Sequence, residues 1–162
     1  MDNTYHFSKE ELFSFIDKAQ RATYAGGGEE VKSPERPGFI EYEYSEGDFH
    51  YRDSYMGWYR SRGMEVVRYK GKPVWTCTYG GGMVEGKEEN AHETFEFLKK
   101  AMSRDENGFD SFRGPHQFSE NEWKYTYEQN GDVFEFWGNE EISYKGEVVF
   151  FHRTIGGIVI GK

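Results

Sequence analysis

Four residues in one short stretch, Asp48, His50, Asp53 and Glu65, have the types and spacing that could do chemistry. An Asp and a His two positions apart on a strand share a face, because side chains alternate with period two. Such a pair can trade a proton as acid and base, or hold a metal ion with a further carboxylate. Asp48, however, follows Gly47, and an Asp beside a turn glycine usually bonds its own backbone. His92, His116 and His152 are scattered, and H-E-x-x-H, G-x-S-x-G and paired C-x-x-C patterns are absent. No catalytic residue, metal or cofactor is therefore assigned.

Cys77 is the only cysteine. It excludes an intrachain disulfide, and its setting in the run 74–79 reads as a small core residue of a strand. The run Gly26-Gly27-Gly28 suggests a phosphate cradle. Such a loop must open a helix and be followed by Lys and Ser or Thr, whereas these glycines follow a helical pattern and read as its C-terminal cap.

Aromatic side chains are the larger signal, at 19% of residues against 36% for all hydrophobic types, so rings must supply much of the core. A curved sheet bearing them can also present an aromatic cleft to a small ligand or a partner's helix. Tyr24, Asp53, Tyr55, Trp58, Trp75 and Tyr79 are the expected contact residues of that cleft.

These residues need elements to position them. Ser8 with Glu11 forms an S-x-x-E capping box, and Leu12, Phe15, Ile16 and Ala19 follow at helical spacing. Asn90 and Glu93 stand in the same relation before Phe95, Leu98 and Met102. Strand patterns fill most of the rest, with turns at Gly47, Lys70-Gly71, Asn130-Gly131 and Lys145-Gly146.

The order helix, strands, helix, strands prompts a search for a repeat. Ser8, Glu11, Phe13, Phe15 and Ala19 recur as Asn90, Glu93, Phe95, Phe97 and Ala101. Tyr69-Lys70-Gly71 recurs as Tyr144-Lys145-Gly146, and Gly81-Gly82 as Gly156-Gly157. The fold expected is α+β within one domain over 1–162. It would be a tandem duplication of a helix plus a four-stranded antiparallel sheet, with pseudo-repeats over 8–85 and 90–162. Each half resembles the cystatin-like arrangement, and two in tandem resemble the duplicated β-lactamase inhibitor proteins in architecture alone. Residues 53–61 have no counterpart in the second repeat, so the fold does not require them and they are candidates for function.

A net charge of −9 disfavours direct nucleic-acid binding. With neither a signal-peptide pattern nor a membrane-length apolar run, a cytoplasmic location is expected.

Several strings stand in a recognisable order: 22–28, Arg36-Pro37, Gly47-Asp48, Asp53-Ser54-Tyr55-x-Gly57, Lys70-Gly71-x-Pro73-Val74-Trp75, Arg113-Gly114-Pro115 and Gly156-Gly157. Together they resemble a bacterial family of uncharacterised domains, some of which sit behind a helix-turn-helix module of the phage-repressor type. The resemblance implies no activity. Three functions remain open: a binding or sensor domain for a small ligand, a small hydrolase-like or metal-dependent enzyme using Asp48, His50, Asp53 or Glu65, and a protein–protein or inhibitory module. A second copy of the chain is one partner to consider.

Overall fold

The computed structural model describes residues 6–161. Helix α1 (Lys9–Ala22) is followed by strands β1 (Ile40–Glu46), β2 (Phe49–Met56), β3 (Arg60–Tyr69) and β4 (Lys72–Met83). A short 3-10 turn (Glu88–Asn90) leads into α2 (Ala91–Met102), then β5 (Gln117–Glu120), β6 (Trp123–Asp132), β7 (Glu135–Tyr144) and β8 (Glu147–Ile158).

The expected pair of helix-plus-four-strand halves is not what forms. All eight strands join one antiparallel sheet in the order β1-β2-β3-β4-β8-β7-β6-β5. Strand β4 pairs with β8 from Trp75↔Ile158 to Met83↔Phe150. In two separate sheets both strands would be long edges with a full row of unsatisfied amides and carbonyls. Pairing them removes both edges.

The core also crosses that seam. Leu12, Phe15, Ile16 and Ala19 of α1 pack with Tyr51 and Val67, and equally with Val133 and Phe136 from the β6–β7 hairpin. The α2 cluster of Phe97, Leu98 and Ala101 takes Met83 from β4 together with Tyr125, Ile142 and Phe150. Neither helix is served by its own neighbouring strands alone, so cystatin-like halves are not self-contained units here.

Local signals vary in how they are used. The Ser8–Glu11 capping box closes reciprocally on α1. Asn90 stands at the N-cap of α2 without a side-chain bond, because the preceding 3-10 turn already shapes that end. The Asn130-Gly131 turn is displaced: both residues lie in β6, and the chain reverses at Val133 and Phe134 instead. Val133 is buried in the α1 core and its carbonyl accepts from Trp75 Nε1 at 2.8 Å, which fixes the reversal there. Residues 53–61 form the end of β2, a tip at 57–59 and the start of β3.

Candidate functional site

A cleft of about 240 Å³ opens between the β2–β3 hairpin and α2. It lies on the helix-covered face of the sheet. Register sets its floor: Asp53 on β2 lies directly opposite Glu65 on β3. Both point inward, since Tyr51, Asp53 and Tyr55 alternate with outward His50, Arg52 and Ser54. Asp53 is 5% and Glu65 4% exposed.

Tyr79 on β4 donates its hydroxyl to Asp53 Oδ1 at 2.8 Å. Gln20, reaching down from α1, places Nε2 at 3.3 and 3.2 Å from the two Glu65 oxygens. Tyr51 also bonds Glu65. The Tyr79 ring passes over Gly63, where a Cβ would come within 2.4 Å of its hydroxyl end. Only glycine lets that ring deliver its hydroxyl to the floor.

Burial pushes both carboxyls up from their ordinary range. For Glu65 the neighbouring Asp53 charge adds to burial; Arg113 opposes the rise in both. Among the described residues neither carboxylate has an ion-pair partner. Two like charges that cannot both be solvated hold a proton between them near neutral pH.

Arg113 is committed elsewhere. Its Nε and Nη2 reach the two oxygens of Glu140 on β7 at 3.1 and 2.9 Å. Tyr125 donates to the same carboxylate at 2.7 Å. Burial alone would raise Glu140, but the guanidinium and His152 overcome it and hold the group at about 2.

His152 on β8 completes a chain with a familiar order. Ser61 Oγ lies 3.2 Å from its Nε2, and Glu140 Oε2 3.4 Å from its Nδ1. A nucleophile, a base and an orienting acid would stand this way. Arg113 Nη2, however, is 3.2 Å from the same Nδ1 and has only protons to offer. Nδ1 thus stands between a donor and an acceptor, and the direction of the Ser61 bond follows the tautomer. Burial lowers the His152 pKa, and Arg113 opposes its protonation while Glu140 favours it. Burial keeps this imidazole neutral and, with Arg113, opposes the imidazolium that a proton from Ser61 would create.

The walls are aromatic. Tyr55 meets Tyr24 edge-on at 6.3 Å and stacks with Tyr42 at 6.4 Å. Trp58, at the hairpin tip, leans across to Phe95 of α2 at 5.1 Å. Tyr24, Asp53, Tyr55, Trp58 and Tyr79 thus line one cavity, and Glu65 joins them.

Trp75 does not join them. It is fully buried in the α1 core, stacked with Phe136. It stands four residues before Tyr79 on β4, about 13 Å along the strand. Asp48 and His50 are also elsewhere. Asp48 is exposed at the β1–β2 turn with Lys70 3.5 Å away, and His50 Nε2 lies 3.3 Å from Glu43 on the outer face. The sought cluster of Asp48, His50, Asp53 and Glu65 cannot assemble, because strand alternation puts His50 and Asp53 on opposite sides of β2. Cys77 is buried in the core, where desolvation raises its thiol pKa. Gly27 takes a left-handed φ of 71° after α1, and Gly28 N bonds Thr23 O, as a helix cap does.

A second cavity of about 270 Å³ lies beyond Gln20 and Arg113. Arg21 there pairs with Asp17 and Asp105, Glu106 with His116, and Arg104 lies over the Phe118 ring, while Asp110 is exposed to solvent. The first cleft is where buried charge is left without an ion pair. Gln20, Ser61, Arg113, Glu140 and His152 were not singled out from the sequence as site residues. Arg113 carried a signal as part of the Arg113-Gly114-Pro115 string, and His152 only as one of several scattered histidines.

No described helix is long and apolar enough to cross a membrane. Neither the curated proteins nor the solved structures include a match to this chain. A family model does match, over residues 53–159, beginning at Asp53 itself and taking in Glu65, Tyr79, Arg113, Glu140 and His152. The chain belongs to the family described as Domain of unknown function (DUF5680).

Proposed function

We propose that this domain binds a small molecule in the cleft between the β2–β3 hairpin and α2. The observation that carries the reading is a single cavity combining aromatic walls with two buried carboxyls that lack a counter-ion. Pockets that take small ligands are mostly apolar and hold a few convergent polar groups. Buried groups with displaced pKa values cluster at functional sites. Proton transfer through Ser61 and His152 is disfavoured by Arg113, so binding explains the geometry better than hydrolysis. A sensor role accords with the resemblance to bacterial domains that follow a helix-turn-helix module: the ligand would bias the state of such a regulator.

The test is a thermal-shift screen of the full chain against a broad metabolite library. A ligand present at a hundred times its Kd stabilises by about 2.7 kcal/mol. For a chain of this size that raises Tm by roughly 5–10 °C. The rise should vanish in Tyr55→Ala. A library that leaves Tm unmoved would sink the reading.

A second reading, association with a protein such as another copy of the chain, draws on the opposite face of the sheet. Trp137 and Ile155 pair there across β7 and β8, 52% and 66% exposed. Adjacent exposed apolar side chains on a sheet face favour partner contact. Solution mass measured across a concentration series decides it, and a constant monomer mass removes the self-association form of this reading.

A further inference from the structure

We propose that the ligand of this cleft is an organic cation, its positive charge set against Asp53 and Glu65 and its body against the rings of Tyr24, Tyr55 and Trp58. The inference rests on the binding reading above and narrows its chemistry.

The charges lining the cavity decide the sign. Arg113 is neutralised by Glu140, and Lys99 lies 3.3 Å from Glu96 on the same helix. Asp53 and Glu65 on the floor and Glu30 at the mouth have no such partner among the residues that line the cleft. The cavity therefore carries surplus negative charge. An anion would meet that surplus with no unpaired Lys or Arg among the described residues that line the cleft to receive it. A neutral ligand would leave the two floor carboxyls as costly as before. A cation supplies the missing counter-charge in a place where water screens little.

The walls favour the same class. Aromatic faces attract cations through the negative side of the ring quadrupole. Two rings of the cleft already do so within the protein: Lys99 Nζ is 5.9 Å from the Tyr24 centroid, and the Arg113 guanidinium 5.5 Å from that of Tyr79. A bare metal ion suits the site less. Among the described residues no three His, Cys, Asp or Glu are placed to ligate one. The Glu65 oxygens already accept from Gln20, and a cavity of about 240 Å³ leaves room for an organic body.

Isothermal titration of the full chain separates the possibilities with simple probes. Benzylamine, benzamidine and tetramethylammonium are the cations; benzyl alcohol and benzoate are neutral and anionic counterparts with the same ring. At least one cation should bind about tenfold or more tighter than benzyl alcohol, and benzoate should not bind. Asp53→Asn and Glu65→Gln should each weaken that cation by about tenfold and benzyl alcohol by clearly less. Equal binding of benzyl alcohol or benzoate overturns the cation claim and leaves the binding reading standing. So does silence of all three cations at about 10 mM, well above a millimolar Kd, when the metabolite library yields neutral or anionic binders. Silence in both experiments removes both proposals.

Discussion

Glu65 and Glu140 are the same residue type, both buried on the same face of one sheet, yet their surroundings push them in opposite directions. Glu140 is met by a bidentate guanidinium, a phenol and an imidazole. Glu65 is met by an amide, a phenol and, across the β2–β3 ladder, a second carboxyl. Burial makes a carboxylate expensive; the partner decides whether the expense is met inside the chain. At Glu140 it is, which makes that glutamate part of the scaffold. At Glu65 it is not, and the outstanding charge faces an open cleft.

The largest expected effect comes from removing the satisfied partner. Glu140→Gln leaves Arg113 charged and buried with no counter-ion. Breaking a buried pair in this way costs about 3–5 kcal/mol, a large part of a typical domain's stability of about 5–15 kcal/mol. Urea unfolding measures it. A loss below about 1 kcal/mol would mean that Arg113 finds another acceptor, and the contrast with Glu65 would weaken.

The pH dependence should show the two glutamates pulling apart. Glu140 is depressed on folding to about 2, so its contribution is whole above the unfolded carboxyl range and fades as pH falls towards 2. Asp53 and Glu65 are raised on folding. Their contribution is whole below the unfolded range and is lost as pH climbs through their folded values. Stability should therefore peak in mildly acidic solution and fall on both sides, by about 1–3 kcal/mol on each. Chemical denaturation from pH 3 to 9 gives the curve. A plateau across neutral and alkaline pH would show that the Asp53–Glu65 pair is not strained.

A smaller effect sharpens the same point from the other side. Glu65→Gln keeps the shape and removes the charge that has no partner. It should raise stability at alkaline pH by about 1–2 kcal/mol and flatten that limb of the curve. Stabilisation by loss of a residue would itself mark Glu65 as held for something other than folding. A destabilised variant at every pH would place Glu65 in the scaffold beside Glu140.

The cleft side of this contrast is partly legible in the sequence; the Glu140 side is not. The cleft residues Tyr24, Asp53, Tyr55, Trp58 and Tyr79 were legible as aromatic and acidic side chains around the unshared segment 53–61. Glu65 was legible only as one acid among several. The parity that separates His50 from Asp53 was already in the numbering and sufficed to exclude their joint site. Trp75 misled because an aromatic on a strand fits a core and a cleft equally well. Arg113, Glu140 and His152 are far apart in sequence and meet only through the register of β7 and β8 with the loop after α2. The joining of β4 to β8 was equally hidden. Pattern within a strand sets its faces, whereas its neighbour is chosen by the whole sheet.

Trp58 offers the mildest perturbation and the cleanest separation of site from scaffold. It sits at the hairpin tip, 64% exposed, and touches α2 through the edge of Phe95. Exposed side chains away from the core usually change stability by no more than about 0.5 kcal/mol, so Trp58→Ala should leave the unfolding curve almost unmoved. Yet the ring forms part of the cavity wall on the side where hairpin and helix approach each other. Its loss should weaken any cleft ligand by about tenfold, the scale of one well-placed aromatic contact. Titration of wild type and variant with the same ligand reads this directly. An unchanged affinity would place the ligand deeper, on Asp53 and Glu65 alone, and would reduce the tip at 57–59 to a loop. A fall in affinity with an unchanged unfolding curve would show that the hairpin end serves binding rather than folding, the role proposed for Glu65 at the floor and not for Glu140.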